Sequence, residues 1–181
     1  MTASGTIQKI GVWSSRFIIA AIVQGAVVMG LTLSIIGAQV LVSNINIIQF
    51  LSLSFEGPAK WFFLGYILYL ILVVAVAVTA VFYSHLEMNL GKSVRGIRSV
   101  LAWVHLVGMN IGGAAATIAM VFAGLAGSGM LGVIIAGGEL QPNPAIMDQF
   151  IVPIAAAAGL LNIGVLAGGL AYVSTYLKKD Q

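Results

Sequence analysis

The stretch WFFLGYILYLILVVAVAVTAVFY, Trp61 to Tyr83, contains no charged residue and only one hydroxyl besides its tyrosines, that of Thr79. About 20 consecutive apolar residues cross a hydrocarbon core as a helix, so this run alone predicts a transmembrane span. Trp61, Phe62 and Phe63 stand at one end, and Phe82 and Tyr83 at the other. Aromatic residues at both ends are the pattern of a helix whose ends rest at the membrane interfaces. The second span therefore runs over 61–83.

Three further segments have the same character. The first is Phe17–Val42, the third lies within the apolar stretch from Val100 to Gly138, and the fourth is Phe150–Leu177, stopped by Lys178 and Lys179. The third stretch as one helix would reach about 57 Å at 1.5 Å per residue, against a core of about 30 Å. Three glycines in Gly124-Leu125-Ala126-Gly127-Ser128-Gly129 mark the place where it breaks, because glycine weakens a helix. The span is then Val100–Ala126, and Met130–Gly138 forms a short interfacial or re-entrant piece. Gln141-Pro142-Asn143-Pro144 is a loop. Between the first two spans, Asn46–Phe55 is too short to cross, and it lies in the interface or over the mouth of the bundle.

Composition agrees with these spans. Sixty per cent of the 181 residues are hydrophobic and 7% are charged, where a soluble domain carries about 25% charged residues. The fold class is an all-α integral membrane four-helix bundle in a single domain, 1–181. Cysteine is absent, which excludes disulfides, thiolate metal sites and cysteine nucleophiles. No basic stripe interleaved with aromatics tracks a phosphate backbone, so nucleic acid is not an expected partner. Lys9 and Arg16 precede the first apolar run as they would in a signal peptide, and Gly37 and Ala38 offer a conceivable cleavage point. The run is longer than a signal core of about 7–15 residues, and it is read as a retained span.

With four spans, Lys9, Arg16, Lys92, Arg95, Arg98, Lys178 and Lys179 fall on one side, seven of the eight basic residues. Lys60 falls on the other side, with Glu56, Glu139 and Asp148. The positive-inside rule makes the basic side cytoplasmic and both termini internal, N-in and C-in. The expected setting is a prokaryotic cell membrane.

In lipid, small residues that let backbones approach do much of the packing. Ala26, Gly30, Ser34 and Ala38 share one face of the first span. Gly108, Gly112 and Ala116 share one on the third, and Leu160, Gly164 and Gly168 one on the fourth. The second span carries few small residues between Ile67 and Val78. Spans one, three and four are therefore expected to pack closely, with the second turned to lipid or a partner. The polar residues within spans are Gln24, Gln39, Asn110, Thr117 and Asn162. Asn110 and Asn162 come out near mid-membrane and are expected to pair.

His105 is the one ionisable side chain inside a span, and His85 closes the second. Intramembrane acids and bases mark ion pathways, so their scarcity disfavours a stand-alone pump. No carboxylate is placed to orient His105 in a hydrolytic triad. Both histidines fall in the cytoplasmic half and are candidate cofactor-binding residues. A hairpin turning near Gly96 brings them to one depth and favours joint ligation of a haem. A turn at Gly91 leaves His105 about 10 Å deeper. Both turns remain open, as does an interfacial hydrogen bond between Glu87 and His85.

The segment Trp103-Val104-His105-Leu106-Val107-Gly108-Met109-Asn110-Ile111-Gly112-Gly113 resembles the histidine-bearing helices of haem-copper oxidase subunit I and its relatives, which read as an aromatic, a spaced histidine, then Met or Leu and a glycine-rich tail. Phe17–Val40 is similar to the glycine-spotted opening helix of that family. The resemblance implies that His105 matches a haem-ligand position, with haem b as the cofactor. The family's catalytic chain carries histidines for two haems and a copper on many more helices. Two histidines on four spans imply a small accessory or degenerate subunit beside larger membrane subunits. The expected function is thus a non-catalytic subunit of a respiratory or redox complex. The alternative is a small transporter or channel-like bundle with Asn110, Thr117 and Asn162 along a polar path. A third possibility is a lipid enzyme gripping a head group with His85, Glu87 and the basic loop Lys92/Arg95/Arg98.

Overall fold

The computed structural model describes residues 11–41, 45–53, 57–137 and 139–178, with backbone alone at 52 and 53. Lys9, Val42, Phe55, Glu56, Gly138 and Lys179 lie outside them. The described residues form helices and loops, without a strand. In chain order the helices are α1 (Val12–Leu41), α2 (Ile47–Leu53), α3 (Ala59–Ser84), α4 (Ile97–Val107), α5 (Gly113–Gly127), α6 (Met130–Ala136) and α7 (Asp148–Tyr176). A π-type turn, His85–Asn89, prolongs α3, and a second, Gly108–Gly112, joins α4 to α5 without interrupting the axis. Four helical units are long and apolar enough to cross a membrane: Val12–Leu41, Ala59–Asn89, Ile97–Gly127 and Pro144–Tyr176. This is a multi-pass membrane protein.

Each span is longer than its apolar core. α1 starts at Val12 because the carboxylate of Glu87 accepts the N–H groups of Trp13 and Ser14 at 3.1 Å. That satisfies donors a helix N-terminus leaves unpaired and lets Ser14, Ser15 and Arg16 join the first turns. Gly11 fits beside the Glu87 side chain, where a Cβ would collide with it. The third unit ends where expected. Gly129 takes φ +78°, a left-handed conformation glycine adopts without steric cost, and the short α6 then begins. Asn143 N–H donates to the Gly127 carbonyl at 2.9 Å, folding the Pro-rich loop back under the break.

The packing order differs from the expected one. The third unit is central, α3 and α7 pack on different faces of it, and α1 packs mainly against α3 while reaching the third unit through side chains, Phe17 against His105 and Gln24 against Asn110. Ala26, Gly30 and Ser34 face outward, and a Cβ at Gly30 would meet nothing. Only Ala38 of that row is buried. The second span keeps an exposed side, but it is more buried than the first or the fourth. Gly65, which lies outside the Ile67–Val78 window, fits against the backbone of Thr117 and Val121, and Gly124 of α5 fits against the backbone of Phe62. Tyr69, Leu72, Val76 and Tyr83 of α3 then fill the core. The contact of the third and fourth units is as expected: Gly108 lies against Gly164, and Gly112 against the Ala157–Leu161 backbone. The third unit carries small residues on two faces, and this makes it the hub.

At the end away from the basic loop, Ile47 and Leu51 of α2 and Met130 and Val133 of α6 pack with Phe62, Val121 and Leu125. Gln39 ties α2 to α1, donating to the Ile45 carbonyl at 3.1 Å and accepting from Ile48 N–H at 3.2 Å. The segment after the first span thus closes over the bundle mouth.

Candidate ligand cleft at His105

Because α3 and α7 both lean on the third unit, they leave a gap between them. They meet where Phe82 and Tyr172 make an edge contact, with ring centroids 6.0 Å apart. Around this contact a cleft of about 630 Å³ opens, with His105, Thr79, Tyr83 and Met109 among its lining residues. Val78, Phe82, Val165 and Val173 line it as well, and all four are exposed on the outer, lipid-facing surface of the bundle. The cleft therefore opens sideways towards acyl chains.

His105 is 9% exposed. Its imidazole sits 5.1 Å from the Phe17 ring centroid, and Nδ1 lies 3.4 Å from the Tyr83 hydroxyl. Tyr83 is in turn stacked on Phe17, with centroids 5.1 Å apart and planes 12° from parallel. Gly168 of α7 faces the ring so closely that any Cβ there would overlap it. Three elements thus hold the imidazole, and glycine at 168 is what admits it. Thr79 donates to the Ala75 carbonyl at 2.9 Å and reaches the Met109 sulfur at 3.7 Å, so the polar atoms of that wall are largely engaged.

Further towards the basic end, Arg16 lies between two indoles, its guanidinium carbon 4.5 Å from the Trp13 ring and 4.6 Å from the Trp103 ring. Cation–π contact of this kind anchors a charge at a membrane interface without an acid partner.

His85 and His105 are not brought together. The hairpin turns neither at Gly91 nor at Gly96 alone, since both have positive φ and the loop between them is extended. Tyr83 faces His105, and a residue two positions on lies about 200° round the helix. His85 is accordingly exposed, with Nδ1 3.2 Å from the Asn89 amide nitrogen. Glu87, an expected partner for His85, is committed to α1.

Asn110 and Asn162 do not pair either. Asn162 is exposed and donates to the Ala158 carbonyl on its own helix at 2.9 Å. Asn110 donates to the Leu106 carbonyl at 2.8 Å, and its side-chain and backbone oxygens accept from Gln24 Nε2 at 3.2 Å. The Gln24 oxygen accepts from the Tyr69 hydroxyl at 2.7 Å. Thr117 donates to the Gly113 carbonyl at 2.8 Å. Asn110, Thr117 and Asn162 therefore face different surroundings. Tyr69, the third member of the Gln24–Asn110 chain, carried no signal in the sequence beyond its hydroxyl in an apolar run.

A haem held by both histidines does not fit this arrangement. Met109, the other soft donor in the cleft, is one turn beyond His105 on the same wall and cannot stand opposite it. What fits is one imidazole on one side. No protein-family model, no curated protein and no solved structure matches the chain.

Proposed function

We propose that this chain is a non-catalytic subunit of an oxidase-like redox complex in a prokaryotic cell membrane, with its basic end cytoplasmic, and that the cleft beside His105 receives a lipid-soluble redox group, haem b first among them. The observation that carries this reading is a well-held imidazole on the wall of an apolar cleft that opens to lipid. An apolar cavity with a few placed polar groups is the usual form of a small-molecule site, and an ionisable residue within a span is a functional candidate by default. With Nδ1 turned to the Tyr83 hydroxyl, Nε2 is the nitrogen left for a ligand, and the tyrosine acts as the outer partner that orients it. Haem would supply electron transfer, while Phe17, Tyr83 and Gly168 fix the ring that contacts it.

An absorption spectrum of the reduced protein, purified with whatever accompanies it, tests the proposal. A Soret band with sharp alpha bands is expected, retained in His85→Ala and lost in His105→Ala, together with larger membrane subunits in the preparation. A blank spectrum from a lone chain that still folds overturns it.

A further inference from the structure

A second, smaller cavity lies at the basic end, between the loop Gly91–Ser93, the first turn of α4 and the last turn of α7. Its volume is about 90 Å³, several times the roughly 10–15 Å³ needed to admit one water molecule. Lys92, Arg98 and Lys178 line it, with Ser93 and Thr175, and among the described residues no acidic one does.

One atom in this arrangement is unexplained. Arg98 Nη1 is completely enclosed and has no hydrogen-bond partner. A buried guanidinium N–H without an acceptor is costly. The nearby acceptors are engaged, since the carbonyls of Tyr176 and Lys178 receive the Lys92 ammonium. Thr175, fully buried, directs its hydroxyl to Ala171. Glu87, the carboxylate at this end among the described residues, is held at the start of α1. Three cations thus surround a pocket with no anion among the described residues, and the Lys92 ammonium lies 5.6 Å from the Tyr176 ring centroid beside it.

We propose that this pocket binds a phosphate group, Arg98 giving the directional N–H contacts and Lys92 and Lys178 the surrounding charge. Phosphate provides several charged acceptor oxygens on one centre, the match for a guanidinium fork. Its source is either an anionic phospholipid head group, for which basic pockets between transmembrane helices are suited, or free phosphate. The site is separate from the cleft at His105 and stands or falls without it.

The test uses delipidated full-length protein in neutral detergent. Native mass spectrometry compares retention of phosphatidylglycerol and phosphatidylcholine at equal concentration, and melting curves compare inorganic phosphate with chloride at matched ionic strength. The wild type is expected to favour phosphatidylglycerol by about five- to thirtyfold, the range for one or two basic contacts at a membrane surface. Arg98→Met should bring the two lipids to parity, and Lys178→Gln, outside the helices, should reduce the preference without lowering the melting temperature. Arg95→Met, exposed and away from the pocket, should leave it unchanged. A phosphate-specific rise in melting temperature that Arg98→Met abolishes identifies the free ion as ligand; a lipid preference without that rise identifies the head group. Equal retention of both lipids with no phosphate effect overturns the proposal. So does an Arg95→Met loss as large as that of Arg98→Met, which would mean diffuse charge. If Arg98→Met does not fold, an unchanged preference in Lys178→Gln overturns it and a reduced one supports it.

Discussion

Glu87 holds the first turn of α1 from 74 positions away, through contacts to Trp13 and Ser14. Charge-assisted hydrogen bonds of this kind are stronger than neutral ones, and removing the acceptor strands part-buried backbone donors. Glu87→Ala is expected to cost about 1–3 kcal/mol, measured as a lower unfolding midpoint in detergent, and Glu87→Gln should cost less because one oxygen remains. Tyr69→Phe should cost about 1 kcal/mol, since the Gln24 oxygen loses its donor, while Asn162→Leu should be neutral because that amide faces outward and bonds only to its own helix. The sequence made Gln24, Asn110 and Asn162 conspicuous as polar residues within apolar runs. It could not give their direction round the helix. The π turn at Gly108–Gly112 displaces the face count by a residue just where Asn110 lies, and Asn162 had no partner of its own depth on the neighbouring face.

Among the elements, glycines decide which helices touch. Counting small residues at four-residue spacing found the Gly108–Gly112 and Gly164–Gly168 faces correctly: Gly108 meets Gly164, Gly112 meets the Ala157–Leu161 backbone, and Gly168 admits the His105 ring. The same count misplaced α1, whose row at Ala26, Gly30 and Ser34 faces outward, and it undervalued α3, whose close approach needs only Gly65 on its side and Gly124 on the other. Spacing reveals a smooth face, and only the partner's shape reveals whether that face is used. Gly164→Ala is therefore expected to destabilise the bundle by about 1–3 kcal/mol through overpacking. Gly30→Ala should be neutral or stabilising by up to ~1 kcal/mol, since the helix gains propensity and meets nothing. Reversible unfolding of the two variants in one detergent compares them directly. Gly168→Ala should displace the His105 ring, so loss of any haem spectrum with a modest stability change is its expected signature.

At the scale of the molecule, the long apolar runs, their aromatic ends and the glycine-rich break after α5 were all legible, because a bilayer demands about 20 apolar residues per crossing whatever the neighbours do. The cleft was not legible. It arises from two helices leaning on a third, and neither Thr79 nor Tyr83 nor Gly168 signals it alone. The site proposals rest on the topology, since His105 can meet a membrane-borne ligand, and Arg98 a head group, only if the hairpin at Ser93 and the loop at Asn143 lie across the bilayer from one another. The chain contains no cysteine, so single substitutions Ser93→Cys and Asn143→Cys, both at exposed positions, can be labelled without background. In sealed vesicles of uniform orientation, a membrane-impermeant maleimide is expected to label one of the two variants and to reach the other only after detergent is added. Equal labelling of both in intact vesicles would contradict the four-span arrangement.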